Sequence, residues 1–209
     1  MRGSFISFEG IEGTGKSTQA RLLYEYLTGS GFQALLTEEP GGTSISLRIR
    51  EVLLSVDHMN MTPLTELLLY NAARTQHISE VILPSTEMGK IVITDRFTDS
   101  TYAYQGYGRG IELSLLSEID RIATGSLRPD LTILLDLDVE TGLNRNRGIN
   151  KTDRLELEDI KFHQRVRKGY HELAAKEPER IKLVDAAGTI EDIQNQVVRI
   201  VKYFLNNQK

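Results

Sequence analysis

The chain has 209 residues, a formal net charge of −4, 40% hydrophobic and 26% charged residues, and no cysteine. These proportions suit a folded core and exclude a disordered chain, a disulfide framework, a thiolate metal site and a cysteine nucleophile. The acidic total argues against a broad nucleic-acid surface, and the absence of any apolar run near ~18 residues or of a signal segment predicts a cytoplasmic protein that does not cross a membrane.

In chain order, short apolar runs predict strands at 4–9, 32–37, 91–94, 131–137 and 181–184. Helical patterns lie near 16–28, 44–55, 62–82, 112–124, 139–146, 155–176 and 189–206. Thr62-Pro63 is an N-cap followed by proline at the first helical position. Leu115, Leu116, Ile119, Ile122 and Ala123 make one apolar face, and Ile190, Ile193, Val197, Ile200, Val201 and Phe204 make another. Strands alternating with helices predict a parallel sheet covered on both faces, with ligands at the carboxyl ends of its strands. The four histidines show no metal-ligand spacing and read as ordinary surface or core residues. The least regular stretch is NRNRGINKTDR, 144–154, a polar and basic connection.

GIEGTGKS, 10–17, follows the first strand and opens the first helix. In the pattern G-x-x-x-x-G-K-[ST], Gly10 and Gly15 let the chain turn so that backbone N–H groups face phosphate oxygens. Lys16 then reaches the β- and γ-phosphates, and the Ser17 hydroxyl is a ligand for Mg²⁺. Gly10, Ile11, Glu12, Gly13, Thr14, Gly15, Lys16, Ser17 and Thr18 are thus the expected ATP-binding residues. At the end of the third strand Asp95 is a candidate to hold Mg²⁺ opposite Ser17, with Asp136 as its rival, and Arg96 is suited to a second phosphate. Glu12 is an odd residue in a phosphate loop, since it repels phosphate unless it points at another ligand or helps hold a cation.

The segments FEGIEGTGKSTQ (8–19), EPGGT (39–43), YNAAR (70–74), DRFTDSTYAYQGYGRG (95–110), RPDLTILLDLD (128–138), DRLE (153–156) and KFHQRVRKGY (161–170) resemble the bacterial thymidylate kinases over nearly the whole chain. The phosphate loop is widely shared; EPGG together with the DR…ST-x-A-Y-Q-G block is far more specific. The resemblance implies one nucleoside monophosphate kinase domain over 1–209, with a three-layer P-loop NTPase fold, a five-stranded parallel sheet, and a short mobile lid at about 144–154. It also implies transfer of the γ-phosphoryl group of ATP to dTMP, with Mg²⁺, in a homodimer. The apolar run around Leu64, Leu67, Leu68, Leu69, Tyr70, Ala72 and Ala73 suits such a twofold contact.

On the same basis Tyr70 stacks on thymine and Arg74 hydrogen-bonds it, their spacing of four putting both on one helix face. Arg96 and Arg50 hold the dTMP phosphate, Thr101 and Gln105 read the base edge, and Tyr104 packs on the deoxyribose. Glu12 matches an acid near the 3′-hydroxyl, and Pro40 shapes the pocket. The phosphate loop lacks arginine, so the lid is expected to supply catalytic charge through Arg154 and Arg147, then Arg145, beside Lys16, Arg96 and Glu12. Glu38 departs from the pattern, which commonly has arginine there; Tyr70 stands where phenylalanine is frequent. Two rival readings are a kinase for another deoxynucleotide or deoxynucleoside, and a slow nucleotide switch that binds a protein. A switch needs no second small-molecule pocket, which Tyr70, Arg74 and 95–105 resemble.

Overall fold

The computed structural model describes residues 2–146 and 153–207, and of Asn146 the backbone only. Five strands, β1 (Phe5–Glu9), β2 (Ala34–Glu38), β3 (Ile91–Asp95), β4 (Leu131–Asp136) and β5 (Ile181–Asp185), form one parallel sheet in the order β2-β3-β1-β4-β5. The central strand β1 is buried along its whole length, because helices cover both faces. Its residues alternate accordingly: Ile6 and Phe8 join Leu23, Leu27, Val197 and Val201 on one side, and Phe5 joins Ile78, Ile82 and Phe97 on the other.

Helix α1 (Lys16–Gly29) starts at the phosphate loop, with Gly15 in left-handed conformation at its N-cap. Helices α2 (Ser44–Leu54) and α3 (Pro63–His77) are capped by Thr43 and Thr62, whose hydroxyls accept from the N–H groups of Ser46 and Thr65. The helix expected over 62–82 runs on through a π-helical turn (Ile78–Ile82) into α4 (Leu83–Glu87). A second departure is α5 (Thr98–Thr101), which continues as a π-helical segment (Tyr102–Gly108), where the sequence pattern predicts no helix. Its two glycines and its aromatic, β-branched composition depress α-helix propensity, and tertiary packing overrides it.

Helices α6 (Leu113–Thr124), α7 (Val139–Asn146), α8 (Ile160–Lys176) and α9 (Ile190–Asn207) complete the chain. The helix expected from 155 begins at Ile160. The Asp153 carboxylate accepts from the N–H groups of Leu155 and Glu156 to make a turn, and Asp159 caps Phe162 N–H at 2.7 Å. Among the described residues no helix is long and apolar enough to cross a membrane.

Candidate active site

The loop between β1 and α1 is shaped by close backbone approach. A Cβ at Gly10 would collide with the carbonyl oxygen of Leu135, and one at Gly13 with that of Gly142. Thr14 Oγ1 donates to Ile11 O at 2.9 Å and Lys16 Nζ donates to the same carbonyl at 2.8 Å. Lys16 is 8% exposed. Burial, followed by the positive charge of Arg96, lowers its ammonium pKa to about 8, against the pull of Asp95 and Glu12. Ser17 donates to the Asp95 carboxylate, which ends β3 opposite Phe8 of β1 and Glu38 of β2. The rival carboxylate, Asp136, is already engaged: Arg167 grips it through two 2.8 Å bonds and His171 lies 3.0 Å away. Ser17 and Asp95 together offer the hard oxygen donors that Mg²⁺ favours.

Arg96 follows β3 in left-handed conformation, φ 72°, a backbone state that a non-glycine residue holds only where its surroundings fix it. Its N–H donates to Phe8 O at 2.9 Å, and its guanidinium donates to Gly10 O (3.1 Å), Ser100 Oγ (3.1 Å), Tyr170 Oη (3.3 Å) and Tyr104 Oη (3.2 Å). Nη2 also donates to Glu12 Oε1 at 3.2 Å, and Tyr104 Oη donates to that same oxygen at 2.5 Å. The odd carboxylate of the loop is thus turned toward Arg96 and Tyr104. Burial would raise its pKa, but His163, Arg96 and Lys16 hold it down to about 2.

Behind this cluster, Glu9 accepts from Phe97 N–H (2.7 Å), Ser100 Oγ (2.6 Å) and Tyr170 Oη (2.9 Å). Burial and the charge of Asp99 push its pKa up to about 7.

A pocket opens beside Arg96. All nine residues expected to bind the acceptor line it: Glu12, Pro40, Arg50, Tyr70, Arg74, Arg96, Thr101, Tyr104 and Gln105. Arg74 lies along its floor, donating to Glu39 Oε2 (2.7 Å), Thr101 Oγ1 (2.8 Å) and Phe97 O (3.2 Å). Glu39, joined to Pro40 by a cis peptide bond, also meets His77 Nδ1 at 2.9 Å. Arg50 donates to Pro40 O at 2.7 Å and pairs with Glu38 at 3.3 Å. The reversed charge at 38 is therefore matched locally. Gln105 donates its amide to Glu66 at 2.9 Å.

A second, more open cavity lies over Gly13, Gly15, Lys16, Ser17, Thr18 and Asp95. Glu12, Glu39, Arg50, Arg96 and Asp153 line both cavities and form the wall between them.

The three arginines expected to supply charge from 144–154 fall out unequally. Arg147 lies outside the described residues. Arg145 lines the second cavity and donates to Ala186 O at 2.9 Å. Arg154, expected to face the transferring phosphate, is 2% exposed and pairs with Glu66 at 2.6 Å. Its Nε donates to Leu53 O at 3.2 Å. The reason is Glu66 itself: a fully buried carboxylate needs counter-charge, and Arg154 and Arg109 (3.0 Å) supply it. Sequence reasoning does not single out Glu66, although it stands four residues before Tyr70, one turn away on the same face.

A phosphate loop on the central strand of a parallel sheet, with a second pocket across a shared polar wall, defines a P-loop nucleotide-dependent phosphotransferase. The thymidylate kinase family model matches residues 8–197. Thymidylate kinases of Pelobacter propionicus and Roseiflexus castenholzii are 49% and 48% identical, over 98% and 96% of this chain and 97% and 93% of their own lengths. The crystal structure of thymidylate kinase from Ehrlichia chaffeensis superposes with a TM-score of 0.76 at 35% identity, covering 96% of this chain and 99% of that one. The chain belongs to the thymidylate kinase family.

Proposed function

We propose that the two cavities divide the substrates of an ATP:dTMP phosphotransferase: ATP over the phosphate loop, dTMP in the pocket floored by Arg74. The family carries the reaction, phosphorylation of dTMP to dTDP at the expense of ATP. The observation that supports the division is the shared wall, where Arg96 and Glu12 touch both compartments. In the transfer, an oxygen of the dTMP phosphate forms a bond to the γ-phosphorus as the bond to the β-bridging oxygen of ATP breaks, leaving ADP. The protein needs to align these groups and neutralise charge.

Lys16 and the loop N–H groups hold the donor phosphates, and Arg96, with Arg50, takes the acceptor phosphate. Ser17 and Asp95 fit Mg²⁺, which when bound screens the β- and γ-oxygens. Tyr70 and Arg74 address the thymine, Thr101 and Gln105 its edge, and Tyr104 with Glu12 the sugar. Pro40 closes the rim. Charge from the 144–154 connection comes from Arg145 or Arg147, and Arg154 anchors its far end on Glu66.

A homodimer is part of the reading. Ile45, Val52, Leu64 and Leu68 are exposed apolar residues of α2 and α3, two helices that pack together.

The test is direct. Supplied with ATP, Mg²⁺ and each nucleoside monophosphate in turn, the protein is expected to phosphorylate dTMP best and dUMP less well. A lost methyl contact is worth ~1–3 kcal/mol, whereas mismatched hydrogen bonds exclude dCMP and purines more strongly. If AMP or dGMP proved the best acceptor, the thymine assignment would fall.

A further inference from the structure

His163, on α8, is completely buried, and its Nδ1 lies 3.3 Å from Glu12 Oε2. Among the described residues the contact falls short of a full hydrogen bond, and neither ring nitrogen nor Oε2 has any other partner. Both groups would be costly to bury alone: an imidazole needs at least one polar neighbour, and a carboxylate oxygen needs a donor. Each finds its neighbour in the other. The ring is set edge-on to Phe162 at 5.4 Å and 87°, so its plane is fixed by packing. The other oxygen of Glu12 is held by Tyr104 and Arg96. Burial pushes the Glu12 carboxyl up, and His163 leads the groups that bring it down again, ahead of Arg96 and Lys16.

We propose that His163 is a positioning residue for phosphoryl transfer: its Nδ1–H holds Glu12 Oε2, and thereby fixes Oε1 against Tyr104 and Arg96 in the wall between the two compartments. This rests on the reading above that Arg96 and Glu12 face the acceptor. A histidine that only filled the core would be replaceable by any ring of its size. One that orients Glu12 is replaceable only by a side chain with a donor at the position of Nδ1, which the amide of asparagine provides and the ring of phenylalanine does not.

The experiment compares His163→Phe and His163→Asn, each alone and combined with Glu12→Gln, by steady-state kinetics with ATP and dTMP and by thermal unfolding. His163→Leu set against His163→Asn gives the same contrast with smaller side chains if the phenylalanine ring is not accommodated. Loss of the polar contact to the Glu12 carboxylate predicts a fall of about tenfold in kcat for His163→Phe, with the KM for ATP little changed. His163→Asn is expected to recover most of that fall, and the effect of His163→Phe is expected to vanish in the Glu12→Gln background. Parental kcat in His163→Phe, no recovery in His163→Asn, or losses that multiply with Glu12→Gln would each overturn the proposal. Absence of dTMP turnover by the parent protein in the same assay would overturn the substrate reading, and this inference with it.

Discussion

Arg74 donates from Nε to Glu39 Oε2 at 2.7 Å, with both side chains shut away from water. The same carboxylate meets His77 through Oε1, so one acid fixes two residues of α3 beside the cavity next to Arg96. Removing one member of a buried pair leaves an uncompensated charge, at about 3–5 kcal/mol. Glu39→Ala is therefore expected to lower the urea-unfolding free energy by that amount. A loss below about 1 kcal/mol would mean that Arg74 is held by Thr101 and Phe97 instead.

Lys16 gives a prediction in pH. With its pKa lowered to about 8 by burial and Arg96, the ammonium is present below pH 8 and disappears above it. Bound phosphate favours the charged form. Affinity for ADP is thus expected to hold level below pH 8 and to fall above it, approaching tenfold per pH unit. Calorimetric titration between pH 7 and 9.5 reads this. Lys16→Ala should abolish turnover, bind weakly at every pH and unfold as the parent does. A pH-independent affinity in the parent would place the titration elsewhere.

Arg154 separates anchoring from chemistry. Its pairing with Glu66, to which Arg109 and Gln105 also donate, ties the residues after the basic connection to α3 and to the π-helical segment. Arg154→Ala leaves Glu66 with less counter-charge, and a stability loss of about 3 kcal/mol is expected in chemical denaturation. Single-turnover transfer measured well below the midpoint should fall less than the ~10³-fold that removal of an arginine at the transferring group causes. A fall of that size in a fully folded variant would restore Arg154 to the phosphate.

The apolar residues left exposed on α2 and α3 predict self-association. Leu64 and Leu68 are 48% and 50% exposed, and Ile45 is 51% exposed. Sedimentation at micromolar protein should give twice the 23.6 kDa chain mass, and Leu68→Glu should shift it toward the single chain. A parent that stays at 23.6 kDa would refute the dimer.

Much of this fold is legible in the order of the amino acids. All five strands lie where short apolar runs put them; the three central strands are buried almost throughout because helices cover both faces of the sheet. The pocket proposed for the acceptor is legible through motifs: residues matched at 39–43, 70–74 and 95–105 converge on one cavity. What sequence conceals is pairing across elements. Glu66 and Arg154 are 88 positions apart, and Glu12 and His163 are 151 apart. Neither pair leaves a local spacing, because each is joined only when α8 and the segment before it fold over the loop. The basic composition of 144–154 suggests solvated arginines; the burial of Arg154 depends on a carboxylate elsewhere. The helix at 98–108 is hidden for another reason, being π-helical along most of its length and poor in helix formers.

The crossing of α8 over that π-helical segment has one more implication. It is made at glycines: a Cβ on Gly169 would come within 2.6 Å of the Tyr107 ring, and one on Gly108 within 2.7 Å of Phe162. Neither ring has a flexible end to yield, so the helix would have to retreat. A methyl group at 169 is then a wedge driven in outside the pocket, lifting together the four side chains that α8 carries toward β1, β4 and the loop: His163, Arg167, Tyr170 and His171. Gly169→Ala followed by Gly169→Ser is expected to slow turnover stepwise with every reacting group intact. Unchanged turnover along that series would show α8 free to slide. The spacing of one helix crossing thus becomes a dial on reaction rate, adjustable from outside the chemistry.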